Sequence, residues 1–153
     1  MSTHTAAIRW RQDEDDHFTL GRYTRVHEIA FDGGTTIQAS GAPGNVPAQF
    51  SSEMSVDPEE LFVASLSSCH MLWFLDLSRQ AGVEILSYED QAEGVLETNA
   101  QGRTAVTRVR LCPRVETENE TSAEQLSELH KKAHDACFIA NSVKTVVTVE
   151  PVF

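Results

Sequence analysis

The sequence predicts an α+β fold with the element order βββ, α, ββ, α, β. Three observations carry that reading. Period-two alternation of apolar and polar residues marks strands, two capping boxes open helices, and the strands come in runs instead of alternating singly with helices as a parallel sheet would require.

Residues 5–11 place Ile8 and Trp10 between Arg9 and Arg11, the pattern of a half-buried strand, which the acidic run Asp13-Glu14-Asp15-Asp16 ends. A second strand is expected over 23–31, with Tyr23, Arg25, His27, Ile29 and Phe31 on one face. Asp32-Gly33-Gly34 turns it into a third at 35–39, completing an N-terminal antiparallel meander. Residues 40–52 shift to Gly, Pro, Asn and Ser and read as a loop or crossing arm, too short to link domains.

Asp57-Pro58-Glu59-Glu60 is a helix start: Asp57 can cap, Pro58 suits the first helical position, and Glu60 completes the capping box. The helix should run to about Gly82. Its apolar residues, Leu61 through Leu77, cover almost every side, which predicts a long central helix buried all round. A chain of this size has little material to surround such a helix. The small residues Ala64, Ser65, Ser67 and Ser68 would let another backbone approach, so an intertwined homodimer is expected. Two strands should follow at 87–96 and 105–115, separated by Thr98-Asn99-Ala100-Gln101-Gly102. Thr121 to Glu124 forms another capping box, opening an amphipathic helix through Leu126, Leu129, Ala133, Ala136 and Cys137, and residues 144–149 close the chain as a strand.

With 153 residues, 41% apolar and 23% charged, the chain suits one domain over 1–153. Its 12 Lys and Arg against 23 Asp and Glu give a net charge of -11, which would repel a phosphate backbone or an anionic membrane and argues against nucleic acid as a partner. The apolar stretch 61–77 is broken by Ser65, Ser67, Ser68, His70 and Asp76, and no apolar segment near Met1 resembles a secretion signal; the expectation is a soluble cytoplasmic protein with no membrane partner. Neither a Walker loop nor a GxGxxG motif is present, and no cofactor is expected. Cys69, Cys112 and Cys137 are too few and too widely spaced for a disulfide framework.

Cys69 falls roughly 18 Å along the central helix, where the helix dipole gives it little help, so a reactive thiolate there needs a neighbouring cation. Otherwise Cys69 is a small core hydrophobe. Cys137 has the same two readings at the end of its helix. His70 points about 100° away from Cys69 and reads as a buried, hydrogen-bonded histidine rather than a base. Cys112, followed by Pro113, reads as structural. His130, His134 and Cys137 share one helix face at a spacing that suits zinc, although a structural site would lack a fourth ligand. That face supports an alternative function, a non-catalytic small-molecule or metal-binding dimer. A thiol hydrolase using Cys69 with His27 or His134 is a third reading.

The segment Asp57-Pro58-Glu59-Glu60-Leu61-Phe62-Val63-Ala64-Ser65-Leu66-Ser67-Ser68-Cys69 resembles the N-P-E-[EQ]-L-[FIL]-x-A-x-x-x-x-C block of the OsmC/Ohr family of thiol peroxidases. Ala133-His134-Asp135-Ala136-Cys137-Phe138-Ile139-Ala140-Asn141-Ser142 is similar to that family's second cysteine block, with Phe138 where the family usually has Pro. The resemblance implies that Cys69 attacks an organic hydroperoxide, that Cys137 resolves the sulfenic acid as a disulfide, and that an external dithiol, of lipoyl type in related proteins, reduces it. It also implies that Glu59 holds an Arg beside the thiolate. No Arg lies between Asp32 and Glu59, so the candidates are Arg25 and, second, Arg22. Phe50, Met54, Phe62, Trp73 and Phe138 are expected to line the substrate site.

Overall fold

The computed structural model describes residues 1–153 and has the α+β architecture that the element order implies. The chain divides into two compact units, Met1–Leu61 and Phe62–Phe153.

In the first unit, β1 (Ala6–Arg9), β2 (His27–Phe31) and β3 (Thr36–Ala39) form an antiparallel meander in that spatial order. The register pairs Ile8 with Ile29 and Ile29 with Ile37, so the three isoleucines share one face. The second strand begins at His27, four residues later than its alternation implies, because the preceding backbone is engaged elsewhere. Thr24 N–H donates to the Asp16 carboxylate, Arg25 N–H to the Phe50 carbonyl, and Val26 N–H to the Thr24 hydroxyl. Groups committed to such partners cannot join a ladder. Arg25 therefore sits in an irregular segment and not on the strand.

The second unit is organised around the helix α1 (Pro58–Gln80), whose first turn belongs to the first unit. Its start is a reciprocal capping box: Glu60 N–H donates to Asp57 Oδ1 at 2.7 Å, and Asp57 N–H to Glu60 Oε2 at 3.0 Å. Gly82, with φ +71°, ends it, and Val83 N–H reaches back to the Ser78 carbonyl. By length and composition α1 is apolar enough to cross a membrane, yet here it is a core helix with one covered face. Only Leu66, His70, Phe74 and Ser78 are buried, one residue per turn along a single stripe. The opposite stripe of Ala64, Ser68 and Leu72 is exposed, so within one chain the helix is not buried all round.

The two strands expected after α1 are four. β4 (Ile85–Asp90) pairs antiparallel with β7 (Pro113–Thr117), and β5 (Glu93–Thr98) with β6 (Thr104–Leu111). The break falls where Pro113 has no N–H to give and the Asp90 carboxylate takes the Cys112 N–H instead of a carbonyl doing so. Cys112 thus lies at the break between β6 and β7. The second helix, α2 (Ala123–Ala136), is capped by Ser122, whose hydroxyl accepts from Gln125 N–H; the capping box predicted at Thr121 is shifted by one residue. The last strand, β8 (Val146–Val149), pairs parallel with β6, a parallel pair that the element order did not suggest.

Two apolar clusters hold α1. Leu66, Val109 and Leu111 pack its first half against β6, with Phe62, Val63, Val147 and Val149 around them. A side chain at Gly94 on β5 would meet Val63 at 2.5 Å, so glycine there is what lets the helix lie this close to the sheet. Phe74, Val83, Leu126, Leu129 and Ala133 pack the second half against α2. Cys69 and His70 fall at the junction of the two clusters.

Candidate functional site

Cys69 is half-buried on α1, and Cys137 is 1% exposed just beyond the last residue of α2. Both are free thiols, near enough that Cys69 influences the ionisation of Cys137. The chain leaves helical geometry after Cys137 (φ -65°, ψ 113°), which ends α2 there and carries Phe138 and Ile139 away from the helix axis. Burial, and then the contact with Cys69, push the Cys137 thiol up to about 11. The Ala140 N–H, donating to Cys137 Sγ at 3.4 Å, acts in the opposite direction. Cys137 is thus a protonated, sequestered thiol at neutral pH.

Cys69 opens onto a groove of about 560 Å³ lined by Leu72, Trp73, Phe138 and Ile139, with Ser65, Ser68 and Asp76 as its polar members. Trp73 and Phe138 meet edge to face, their ring centroids 5.3 Å apart, and Phe138 is 68% exposed. Asp76 is engaged by Arg79 and Gln80, whose hydrogen bonds hold its carboxyl below the usual range, so the groove carries one fixed negative charge. The arrangement presents a thiol with a second thiol behind it and an apolar surface in front, suited to an uncharged, hydrophobic reagent.

Of the expected lining, Trp73 and Phe138 are in the groove. Phe62 instead packs against the Leu66 cluster, because its position on α1 faces the sheet. Met54 is fully exposed, and Phe50 lies 5.6 Å from the Arg25 guanidinium in the first unit. Asp76, Leu72 and Ile139 were not anticipated. A helical projection from Cys69 signals the first two, which sit one and two turns along the same face.

In the first unit, the Arg25 guanidinium stacks over Tyr23 at 3.7 Å and donates to the carbonyls of Gly21 and Tyr23. Arg22 is exposed, its backbone bridged to His17. Glu59 is half-buried in the first turn of α1 and takes neither arginine as an ion-pair partner within the chain.

The zinc constellation is not formed. His130 turns to α1, where its Nδ1 lies 3.0 Å from His70 Nε2, and Cys137 has Cys69 as its neighbour instead. No three His, Cys, Asp or Glu side chains come together closely enough to hold a metal ion. His27 Nδ1 is taken up by the Arg25 carbonyl at 2.8 Å.

A family model described as OsmC-like protein matches residues 51–152. Among solved structures, an OsmC-like protein of unknown function from Vibrio cholerae is 45% identical, with a TM-score of 0.97 over 99% of this chain and 100% of that one. The organic hydroperoxide resistance protein OhrB of Bacillus subtilis is 19% identical, with a TM-score of 0.73 over 99% and 98% of the two chains. An organic hydroperoxide resistance protein OsmC from Legionella pneumophila is 14% identical, with a TM-score of 0.70 over 99% and 96%. At these last two identities the likeness is one of fold. No curated protein matches the chain.

Proposed function

The chain belongs to the OsmC-like family, and from that premise we propose that it is a cysteine peroxidase that reduces organic hydroperoxides to alcohols. The observation that carries the reading is the half-exposed Cys69 at the head of an apolar groove with the buried thiol of Cys137 at its back.

The Cys69 thiolate attacks the terminal oxygen of R–O–OH. The O–O bond breaks, its electron pair leaves with the alkoxide, and a proton completes the alcohol ROH, leaving Cys69–SOH. Cys137 then attacks the sulfenic sulfur, water departs with the Cys137 proton, and the Cys69–Cys137 disulfide forms. An external dithiol returns both thiols and leaves as its own disulfide. Sequestering Cys137 as a neutral thiol keeps it from competing for the peroxide, and its contact with Cys69 makes resolution faster than a second oxidation. Arg25, or in its place Arg22, is the cation proposed to stabilise the thiolate, with Glu59 to orient it.

A second copy of the chain is proposed to cover the exposed stripe of Ala64, Ser68 and Leu72, where the small Ala64 and Ser68 admit a close backbone approach and the exposed Leu72 gains burial. One equivalent of cumene hydroperoxide added to the reduced protein should remove two thiols and two hydrogens from the intact mass, and neither Cys69→Ser nor Cys137→Ser should form that disulfide. Thiols that persist in the parent protein would overturn the assignment.

A further inference from the structure

We propose that His70 and His130 are a positioning pair that pins the register of α1 against α2, and thereby holds Cys69 and Cys137 at the separation a disulfide needs. The inference rests on the two-thiol reading above only for what that separation is used for.

The placement is what points to it. His70 follows Cys69 on α1, and His130 lies about two turns before Cys137 along α2. The two rings are 1% and 2% exposed, nearly coplanar at 7°, and joined Nε2 to Nδ1 at 3.0 Å. This is the one hydrogen bond between side chains of α1 and α2; beside it Phe74 stacks on the His130 ring at 4.0 Å and packs against Leu126, Leu129 and Ala133, apolar contacts that attract with little direction. Disulfides tolerate a Cα separation of only about 4.4–6.8 Å, and a one-residue slip of a helix moves its side chains by about 1.5 Å and turns them by about 100°. Apolar packing opposes a slip that large but tolerates the smaller shifts that already take two sulfurs out of range. A hydrogen bond between two rigid rings does not.

The pair also carries a cost that packing would not demand. His70 Nδ1 and His130 Nε2 are buried without a partner. An apolar pair of similar size would fill the space without those orphan nitrogens but would supply no directional bond. The bond needs one ring nitrogen bearing a proton and the other bare, which two neutral imidazoles provide. The titratable groups facing the pair are His134 from α2 and Tyr88 from β4, and no carboxylate hydrogen-bonds either ring.

The test measures thiol–disulfide equilibrium against glutathione, and closure by diamide, in a Cys112→Ser background. Replacing both histidines (His70→Leu with His130→Leu) removes the orphan nitrogens with the bond, so the melting temperature should hold or rise while the effective concentration of the Cys69–Cys137 pair falls about tenfold or more. The substitutions His70→Gln and His130→Asn put an amide nitrogen or oxygen near the bonding position and, made together, should restore closure to within about threefold of the parent. Closure in the double leucine variant equal to the parent's would overturn the proposal. Should that variant prove unfolded by circular dichroism, His70→Leu against His130→Asn decides: equal closure in the two overturns the pin, and loss confined to the first supports it. Neither assay uses a hydroperoxide, so a protein inert to peroxide that still shows the tenfold loss removes the proposed function and leaves the pin standing.

Discussion

Two faces of α1, one residue apart in sequence, meet opposite environments. Cys69 faces an open groove walled by Leu72, Trp73, Phe138 and Ile139, and His70 faces the interior, bonded to His130, which stacks on Phe74. The first face is apolar and accessible, the second polar and sealed. On the groove side a thiol keeps access to reagents from solvent, whereas on the sealed side burial lowers His70 to about 4 and His130 to about 3, each from 6.5. The difference teaches that on one helix it is the neighbours supplied by other elements, here α2 and the turn after it, that decide which titratable side chain stays open to solvent and which is sealed.

The contrast is broken most severely at Cys69. Cys69→Ser should abolish hydroperoxide turnover, read by coupled reduction with a dithiol, while circular dichroism stays unchanged. On the sealed face, Phe74→Ala removes the largest fully buried side chain, and urea unfolding should show a loss of about 3–5 kcal/mol.

Acid should sharpen the comparison next. Because both rings take up protons more readily in the unfolded chain, stability is full above pH 6.5 and falls as the pH drops from there toward about 4 for His70 and about 3 for His130, by a few kcal/mol at about pH 4. Urea midpoints between pH 7 and about 4 should fall more steeply in the parent than in the double leucine variant; parallel slopes would assign the loss to carboxylates such as Asp76, whose lowered pKa acts in the same direction. The smallest effect belongs to the groove wall. Phe138→Ala removes an apolar ring from the groove wall, so KM for cumene hydroperoxide should rise about threefold to tenfold with kcat unchanged.

Much of this was legible in the residues. Asp57-Pro58-Glu59-Glu60 fixed the start of α1 and Gly82 its end, and the capping bonds and the positive φ are local events between neighbours. The two cysteine blocks marked Cys69 and Cys137. The division of two strands into four was not legible: the runs around Ser87 and Ala105 look continuous, and beside Pro113 it is the capture of the Cys112 N–H by Asp90, 22 residues away, that divides them. The zinc reading failed for a related reason. Helical spacing groups His130 with Cys137, but each finds its partner on α1, His130 in His70, 60 residues away, and Cys137 in Cys69.

By itself the sequence determined the element types, the start of α1 and, to within a residue, that of α2, the α+β class and the identity of the two candidate thiols, because capping, turn chemistry and periodicity act within a few residues. Only the tertiary structure decided that the thiols meet, that Trp73 and Phe138 rather than Phe62 wall the groove, that one stripe of α1 is covered and the other bare, and that His70 and His130 are bonded. Those outcomes depend on which distant surfaces pack together. Such packing is a sum of weak, non-directional contacts over the whole core, which no short window of residues contains.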